Sequence, residues 1–257
     1  MNETQNFTSL SLDDIRAVAP SVFTTDKASH LTDKYIQTPT SRVVEDLIAL
    51  GWKVTKAQEV KARKGKGYQK HIVVFQNPDV IIKGQDGDDA SPQILLTNSH
   101  DGKNAFNFRV GLFRFICSNG LVVSDKDFNN VSIRHMNYTF ESLQENINNV
   151  IAKLPGLVHK INLFKSKILT QEQMTEFAIK AAGLRNKNKV DALELLKADR
   201  KHDEGNDLYV IYNRVQEKIM SGSYGYGTKN RKARPVKNFT QDIKLNEELF
   251  ELAESYL

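Results

Sequence analysis

The stretch Gln93-Ile-Leu-Leu-Thr-Asn-Ser-His-Asp-Gly-Lys-Asn-Ala-Phe-Asn-Phe-Arg-Val-Gly-Leu-Phe-Arg-Phe-Ile-Cys-Ser-Asn-Gly-Leu-Val-Val123 decides the fold class. It holds two β-rich runs, 92–98 and 105–117, joined by Thr97–Asn104. Within that joint Asp101-Gly102 is a strong hairpin dipeptide, and Asn119-Gly120 is a second one. Further alternating or β-rich runs lie at 52–62, 68–76 and 128–135. The breaks Lys64-Gly-Lys-Gly67 and Gly84–Asp89 are too short or too polar to hold crossover helices. Closely spaced strands without crossovers favour an antiparallel sheet over a doubly wound parallel one.

Helical periodicity flanks these strands. Upstream, Val43, Val44, Leu47, Ile48 and Leu50 follow a capping Ser41 and stop before Gly51, which predicts a short amphipathic helix. Downstream, Phe140, Leu143, Ile147, Val150, Ile151 and Leu154 form a stripe that Leu157, Val158, Ile161 and Phe164 continue. Pro155-Gly156 is expected to kink or split that helix. Thr170-Gln-Glu-Gln173 reads as a capping box opening another helix that stops near Gly183. Two more helices carry Leu208, Ile211, Tyr212, Val215 and Ile219, then Leu245, Leu249, Leu252 and Tyr256. The expected fold class is α+β: an antiparallel sheet covered by helices, with a helical C-terminal part. The expected organisation is a polar, loosely packed leader over 1–30, an α+β core over 31–169, and a helical part over 170–257 with a basic Gly/Tyr-rich loop at 221–237.

The 257 residues carry 36 Lys+Arg against 31 Asp+Glu, a net charge of +5, with 40% hydrophobic and 9% aromatic residues. This composition excludes disorder, collagen and a disulfide scaffold. No run reaches the ~18 uninterrupted apolar residues of a membrane helix, and Met1-Asn-Glu-Thr-Gln lacks a basic region followed by an apolar core. The expectation is a cytoplasmic protein with no membrane partner. One cysteine, Cys117, forms no internal disulfide, and with six scattered histidines it offers no zinc ligand set. No Walker loop, dinucleotide fingerprint or calcium-loop spacing is present, so no cofactor and no metal are expected.

Basic residues matter here by their clustering. Lys61, Arg63, Lys64, Lys66 and Lys70 share a predicted hairpin with Tyr68 and His71, and no acid lies between Lys61 and His71. Lys229, Arg231, Lys232, Arg234 and Lys237 follow Tyr224 and Tyr226, again without an acid. A weaker set is Lys153, Lys160, Lys165 and Lys167. Gly-spaced loops carrying Lys, Arg and Tyr suit a nucleic-acid backbone, with cations on phosphates and rings on bases. The same clusters also fit solvated loop tips that keep a protein soluble. Arg109 and Arg114, five residues apart on one strand, should face opposite sides of the sheet, where one is expected to be buried with a carboxylate or to reach a phosphate.

The joint at Asn98–Gly102 admits two readings as well. His100 beside Asp101 has the chemistry of a general base with an orienting carboxylate, and Cys117 with His100 or His135 that of a nucleophile and base. The alternative is structural, with Asp101-Gly102 and Asn119-Gly120 shaping turns and Cys117 a small buried residue.

Taken together, Asn98-Ser-His-Asp-Gly102, Arg114-Phe-Ile-Cys-Ser-Asn-Gly-Leu121 with Cys117 and Asn119, Asp207-Leu-Tyr-Val-Ile-Tyr-Asn213 with Glu217, Arg231-Lys-Ala-Arg234 and Leu245-Asn246…Leu249 resemble the phage and plasmid proteins grouped as domain of unknown function 932. The resemblance covers about residues 30–257 and implies mobile elements, a host cytoplasm and involvement with DNA. In layout alone, residues 41–167 are similar to phage single-strand annealing proteins, which place a short helix before a long hairpin sheet and assemble on single-stranded DNA. The resulting expectation is a non-enzymatic phage or plasmid nucleic-acid-binding protein, an annealing or recombination factor whose partner is single-stranded DNA and which forms a homo-oligomer. Two alternatives stay open. One is a phage-encoded inhibitor or adaptor of a host or defence protein, and the other an enzyme using His100, Asp101 and Cys117.

Overall fold

Ile72-Val-Val-Phe75 and Ile94-Leu-Leu96 are apolar runs with no polar alternation, the pattern of strands covered on both faces. The computed structural model places them as neighbouring central strands. It describes residues 9–31, 37–62, 66–77, 79, 90–102, 106–114, 120–122, 131–133, 139–186, 190–227, 229 and 231–257. The chain divides into two compact units, Met1–Phe113 with Phe128–Ala152, and Arg114–Asp127 with Lys153–Leu257.

In the first unit, helices α1 (Leu12–Val18) and α2 (Thr40–Ala49) precede strands β1 (Lys53–Glu59), β2 (His71–Gln76), β3 (Ala90–Asn98) and β4 (Phe106–Arg114). The strands follow one another in that order across the sheet. β1 with β2 and β2 with β3 are antiparallel, as expected, with a register shift between Val54 and Lys56. Strand β5 (Gly120–Val122) falls in the second unit, and β6 (Val131–Ile133) returns antiparallel to β4, setting Phe106 opposite Ile133. Val73 and Phe75 of β2, Ile94 and Leu96 of β3 and Phe108 of β4 point into one core with Val44 and Leu47 of α2. Ile72, Val74 and Leu95 on the opposite face are buried too.

Residues 9–30 correct the expectation of a loosely packed leader. Ile15, Ala19 and Val22 have no exposed surface and belong to that same core. Ser11 opens α1 with a capping box, accepting from the Asp14 amide at 3.1 Å while Asp14 accepts from the Ser11 amide at 2.9 Å. The Ser11 hydroxyl, which donates to Asp14 Oδ2 at 2.7 Å, and after it the Ser11 amide hold the Asp14 carboxyl below the usual range. The polar residues that suggested a leader face solvent on a short amphipathic turn. A second correction concerns α2, which begins at Thr40 behind Pro39 and has no side-chain cap, so Ser41 is an interior residue.

Helix α3 (Phe140–Ser166) runs unbroken through Pro155, so the expected split does not occur, although the division between the units falls within it at 152/153. Proline cannot donate to the carbonyl one turn back, yet Leu154 and Leu157 beside it are buried, and burial of the stripe outweighs the lost bond. In the second unit follow α4 (Gln171–Arg185), α5 (Ala192–Leu196), α6 (Leu208–Ser221), a two-stranded ladder of β7 (Gly225–Tyr226) and β8 (Arg231–Lys232), and α7 (Phe239–Glu254). The Thr170 capping box forms as its sequence requires, with Thr170 N donating to Gln173 Oε1 at 2.9 Å. Phe164, Tyr212 and Phe250 make an aromatic centre, with ring centroids 5.4 to 6.4 Å apart.

Helix α6 is buried nearly all round, cations included. Arg214 donates to the carbonyls of Leu196, Asp203 and Gly205, and Lys218 to those of Glu194 and Lys197. Two positive side chains thus meet the C-terminal carbonyls of α5, where the helix dipole is negative. On another face Gln216 Nε2 donates to Asn246 Oδ1 at 2.8 Å, and Asn246 donates to Asp242, joining α6 to α7.

Candidate functional site

Two places gather the residues that the sequence singled out, one in each unit. In the first unit, β2 begins at His71, and its cross-strand partners are Glu59 of β1 and Asn98 of β3. Thr40, first residue of α2, sits above this row. Its Oγ1 lies 2.8 Å from His71 Nε2, accepts from Asn98 Nδ2 at 2.9 Å, and lies 3.4 Å from His100 Nε2. His71 Nδ1 is 3.1 Å from the Gln69 carbonyl and 3.0 Å from Ser21 Oγ.

A carbonyl only accepts, so the network assigns the His71 proton to Nδ1 and leaves Nε2 to accept from Thr40. The remaining lone pair of Thr40 then faces His100 Nε2–H. Glu59 closes the edge, its Oε2 accepting from Ser21 N at 2.9 Å and its Oε1 from Gln69 Nε2 at 2.7 Å. Ser21, Thr40, His71, Asn98, Ser99 and His100 all have zero exposure. Asp101 is engaged by Ser99, whose Oγ donates to Oδ1 at 2.6 Å. Gly102 follows at φ +74°, where an added Cβ would stand 2.5 Å from Leu31, so the turn reading of Asp101-Gly102 has a steric basis.

The chemistry available to this cluster is a hydroxyl between two imidazoles. It is closed to solvent, and what it does in the structure is tie five segments together. Cys117, Asn119 and His135 lie outside the described residues. Among the described residues, no group of three or more His, Cys, Asp or Glu is arranged to hold a metal.

Beside this cluster, Lys61 and Lys66 are exposed, while Tyr68, Lys70 and Arg109 are half-buried. Burial pushes the Lys70 ammonium below its usual value, and the nearby Arg109 charge adds to the effect. The hairpin and β4 therefore bring two of the expected cations together. Arg63, Lys64 and the Arg114 side chain lie outside the described residues.

The second place is in the other unit. The 221–237 segment is pinned rather than a free loop. Gly222 caps α6 at φ +74°, and an added Cβ there would stand 2.5 Å from the carbonyl carbon of Arg234. Val236 N donates to Met220 O at 2.8 Å, and Ala233 N to Tyr224 O at 2.9 Å. Arg185 at the end of α4 donates to the carbonyls of Ile219 and Arg234. The result is an open groove of about 550 Å³ lined by Arg185, Asn186, Tyr226, Arg231, Lys232, Ala233, Arg234 and Gln241. Among the described residues, its lining holds four cations and no carboxylate. Arg185 is held by neutral carbonyls, so its charge stays in the groove's field. Arg231, Lys232, Arg234 and Lys229 are exposed, and among the described residues none is in an ion pair.

Not every expected residue reaches a surface. Tyr224 is 1% exposed, with Arg185 6.0 Å from its ring, which corrects its assignment as a stacking residue. Tyr226 is half-buried and lines the groove, and Lys237 is exposed. Of the weaker lysine set, Lys160 pairs with Glu254 and Lys165 lies 4.8 Å over the Tyr209 ring, Lys167 is half-buried, and the Lys153 side chain lies outside the described residues. Sequence reasoning missed Arg185, Asn186 and Gln241, which come from helix ends remote in sequence. It also missed Ser21, Thr40 and Gln69, which no local pattern joins to His100.

A family model described as Domain of unknown function (DUF932) matches residues 27–250, and the chain belongs to that family. UPF0380 protein YfjQ and UPF0380 protein YafZ of Escherichia coli (strain K12) are each 28% identical to it over 258 residues, covering 96% of this chain and 92% of the relative. No solved structure matches the chain.

Proposed function

We propose that this member of the DUF932 family is a non-enzymatic nucleic-acid-binding protein of a phage or plasmid, acting on single-stranded DNA in annealing or recombination. The observation that carries this reading is the groove of the second unit, where Arg231, Lys232 and Arg234 stand exposed around Tyr226 with no carboxylate among the described lining residues. Unneutralised cations on a pinned scaffold attract phosphates at little ordering cost, and a ring among them offers a face to a base. Lys61, Lys66, Lys70 and Arg109 supply a second basic area in the first unit. The hydroxyl–imidazole cluster takes no part in the proposed binding, because it has no surface to offer. The test is fluorescence anisotropy of the full chain with labelled single- and double-stranded oligonucleotides over a salt series, with light scattering on the same sample. Salt-sensitive binding by an oligomer that prefers single strands supports the reading; no binding at low salt overturns it.

A second reading, an inhibitor or adaptor of a host protein, is favoured by one observation. Leu193, Ile168 and Ile179 of the second unit are 67%, 59% and 55% exposed, apolar surface that a partner could cover. A discrete partner in a pull-down, with no affinity for oligonucleotides, would select it.

A further inference from the structure

We propose that the groove of the second unit holds one unpaired nucleotide, its base against Tyr226 within reach of the Asn186 and Gln241 amides and its phosphates on Arg231, Lys232 and Arg234. This rests on the nucleic-acid reading above and names the part of the polymer that enters. Tyr226 and Arg231 are cross-strand partners, so their side chains leave the ladder on one face about 5 Å apart at Cβ. Stacking surface and phosphate-binding charge are thus side by side. Gly225, the partner of Lys232, is buried and donates its amide to Glu194 Oε2 at 2.9 Å, which fixes the strand beneath that cation.

The groove's size, about 550 Å³, falls within the ~300–1,000 Å³ of small-molecule sites. It suits a nucleotide and is concave, whereas reading a duplex requires an element that projects into the helical groove. A base reaches a concave site only after leaving its stack. The two amides fit this account. The Asn186 side chain donates Nδ2 to Tyr224 OH at the long distance of 3.5 Å, and Gln241 is exposed at the start of α7. Each amide offers a donor and an acceptor, the complement of a base edge. The ladder, α4 and α7 come from one compact unit, so the site is complete within it.

The experiment compares three labelled probes on the full chain: a twelve-nucleotide oligothymidylate, an abasic strand of the same length, and a duplex of the same length. Tyr226→Ala is expected to weaken oligothymidylate binding about tenfold, the scale of one lost base–aromatic stack. It should leave the abasic strand, the duplex and the salt slope unchanged, and Tyr226→Phe should bind like the parent. Gln241→Ala, an exposed change that spares the ladder, should also weaken oligothymidylate alone. If both Ala variants bind oligothymidylate like the parent, or lose the abasic strand equally, the nucleotide site is wrong while nucleic-acid binding stands. If the parent binds none of the probes at low salt, both readings fall.

Discussion

Thr40 Oγ1 lies 2.8 Å from His71 Nε2, so the first residue of α2 is bonded to the first residue of β2 in a place with no exposed surface. Through that hydroxyl the helix is also joined to Asn98 and His100, two polar members of the Asn98–Gly102 motif. The motif is thereby accounted for as a junction of secondary structure.

Thr40→Val keeps the shape of the side chain and deletes its oxygen, leaving His71 Nε2 and Asn98 Nδ2 buried without their common partner. The expected loss is about 2–4 kcal/mol, one desolvated group for each orphaned atom, read by urea denaturation. Thr40→Ser retains the oxygen and should lose less than half as much. Equal losses would show that the methyl group, not the hydroxyl, holds the junction.

Gly222→Ala should destabilise the second unit more than Gly51→Ala destabilises the first. Both glycines have positive φ, +74° and +87°, and both substitutions carry the left-handed cost of about 1–2 kcal/mol. Only at Gly222 would the new Cβ meet backbone, at 2.5 Å from Arg234, while at Gly51 nothing lies within 4 Å. The difference in denaturation midpoints checks this, and groove binding should fall with Gly222→Ala alone because Arg234 must shift.

Tyr224→Ala and Tyr226→Ala, flanking Gly225 on either side, should separate cleanly. The first removes a ring that is 1% exposed and is expected to cost about 3–5 kcal/mol in unfolding free energy. The second removes a half-buried ring at the groove and should leave the melting temperature within a few degrees of the parent.

Reversing Arg231 and Lys232 to Glu should weaken nucleic-acid binding and flatten its salt dependence by about 0.7–0.9 in slope for each phosphate no longer neutralised. Reversing Lys61 and Lys66 tests the first unit in the same way. Binding and slope that stay at the parental value after all four reversals would remove both basic areas from the interface.

Lys218 gives a pH prediction with a defined sign. Burial pushes its ammonium below the usual lysine value, outweighing the attraction of Asp199. Between that lowered folded value and the unfolded value near 10.5, the unfolded chain binds more protons, so stability from this group rises with pH across the window. Lys218→Met should remove that rise, which denaturation at a series of alkaline pH values would detect.

Periodicity and punctuation were enough for much of this protein. The Thr170 box and the hairpin dipeptide Asp101-Gly102 act through bonds between residues a few positions apart, so their effect is legible locally. The antiparallel sheet followed for the same reason, from short polar joints that leave no room for a crossover. Charge clustering also pointed to residues 229–237. What the chain does not write in one place is which partners those residues meet. Tyr224 and Tyr226 read alike in sequence, and only the packing of α4 and α6 buries one ring and leaves the other at a groove. Arg185, 46 positions before Arg231, enters that groove because Gly222 lets the Arg234 backbone pass close to the end of α6. Residues 9–30 looked polar because their few apolar side chains matter only when a sheet is present to receive them. His100 invited pairing with the adjacent Asp101, but tertiary contact gave its imidazole to Thr40, 60 residues away, while a local bond from Ser99 engages Asp101. Local hydrogen bonds and periodic burial are properties of short segments; the identity of a buried polar partner is set by the whole fold, because every donor taken out of water must find whichever acceptor the packed chain brings to it.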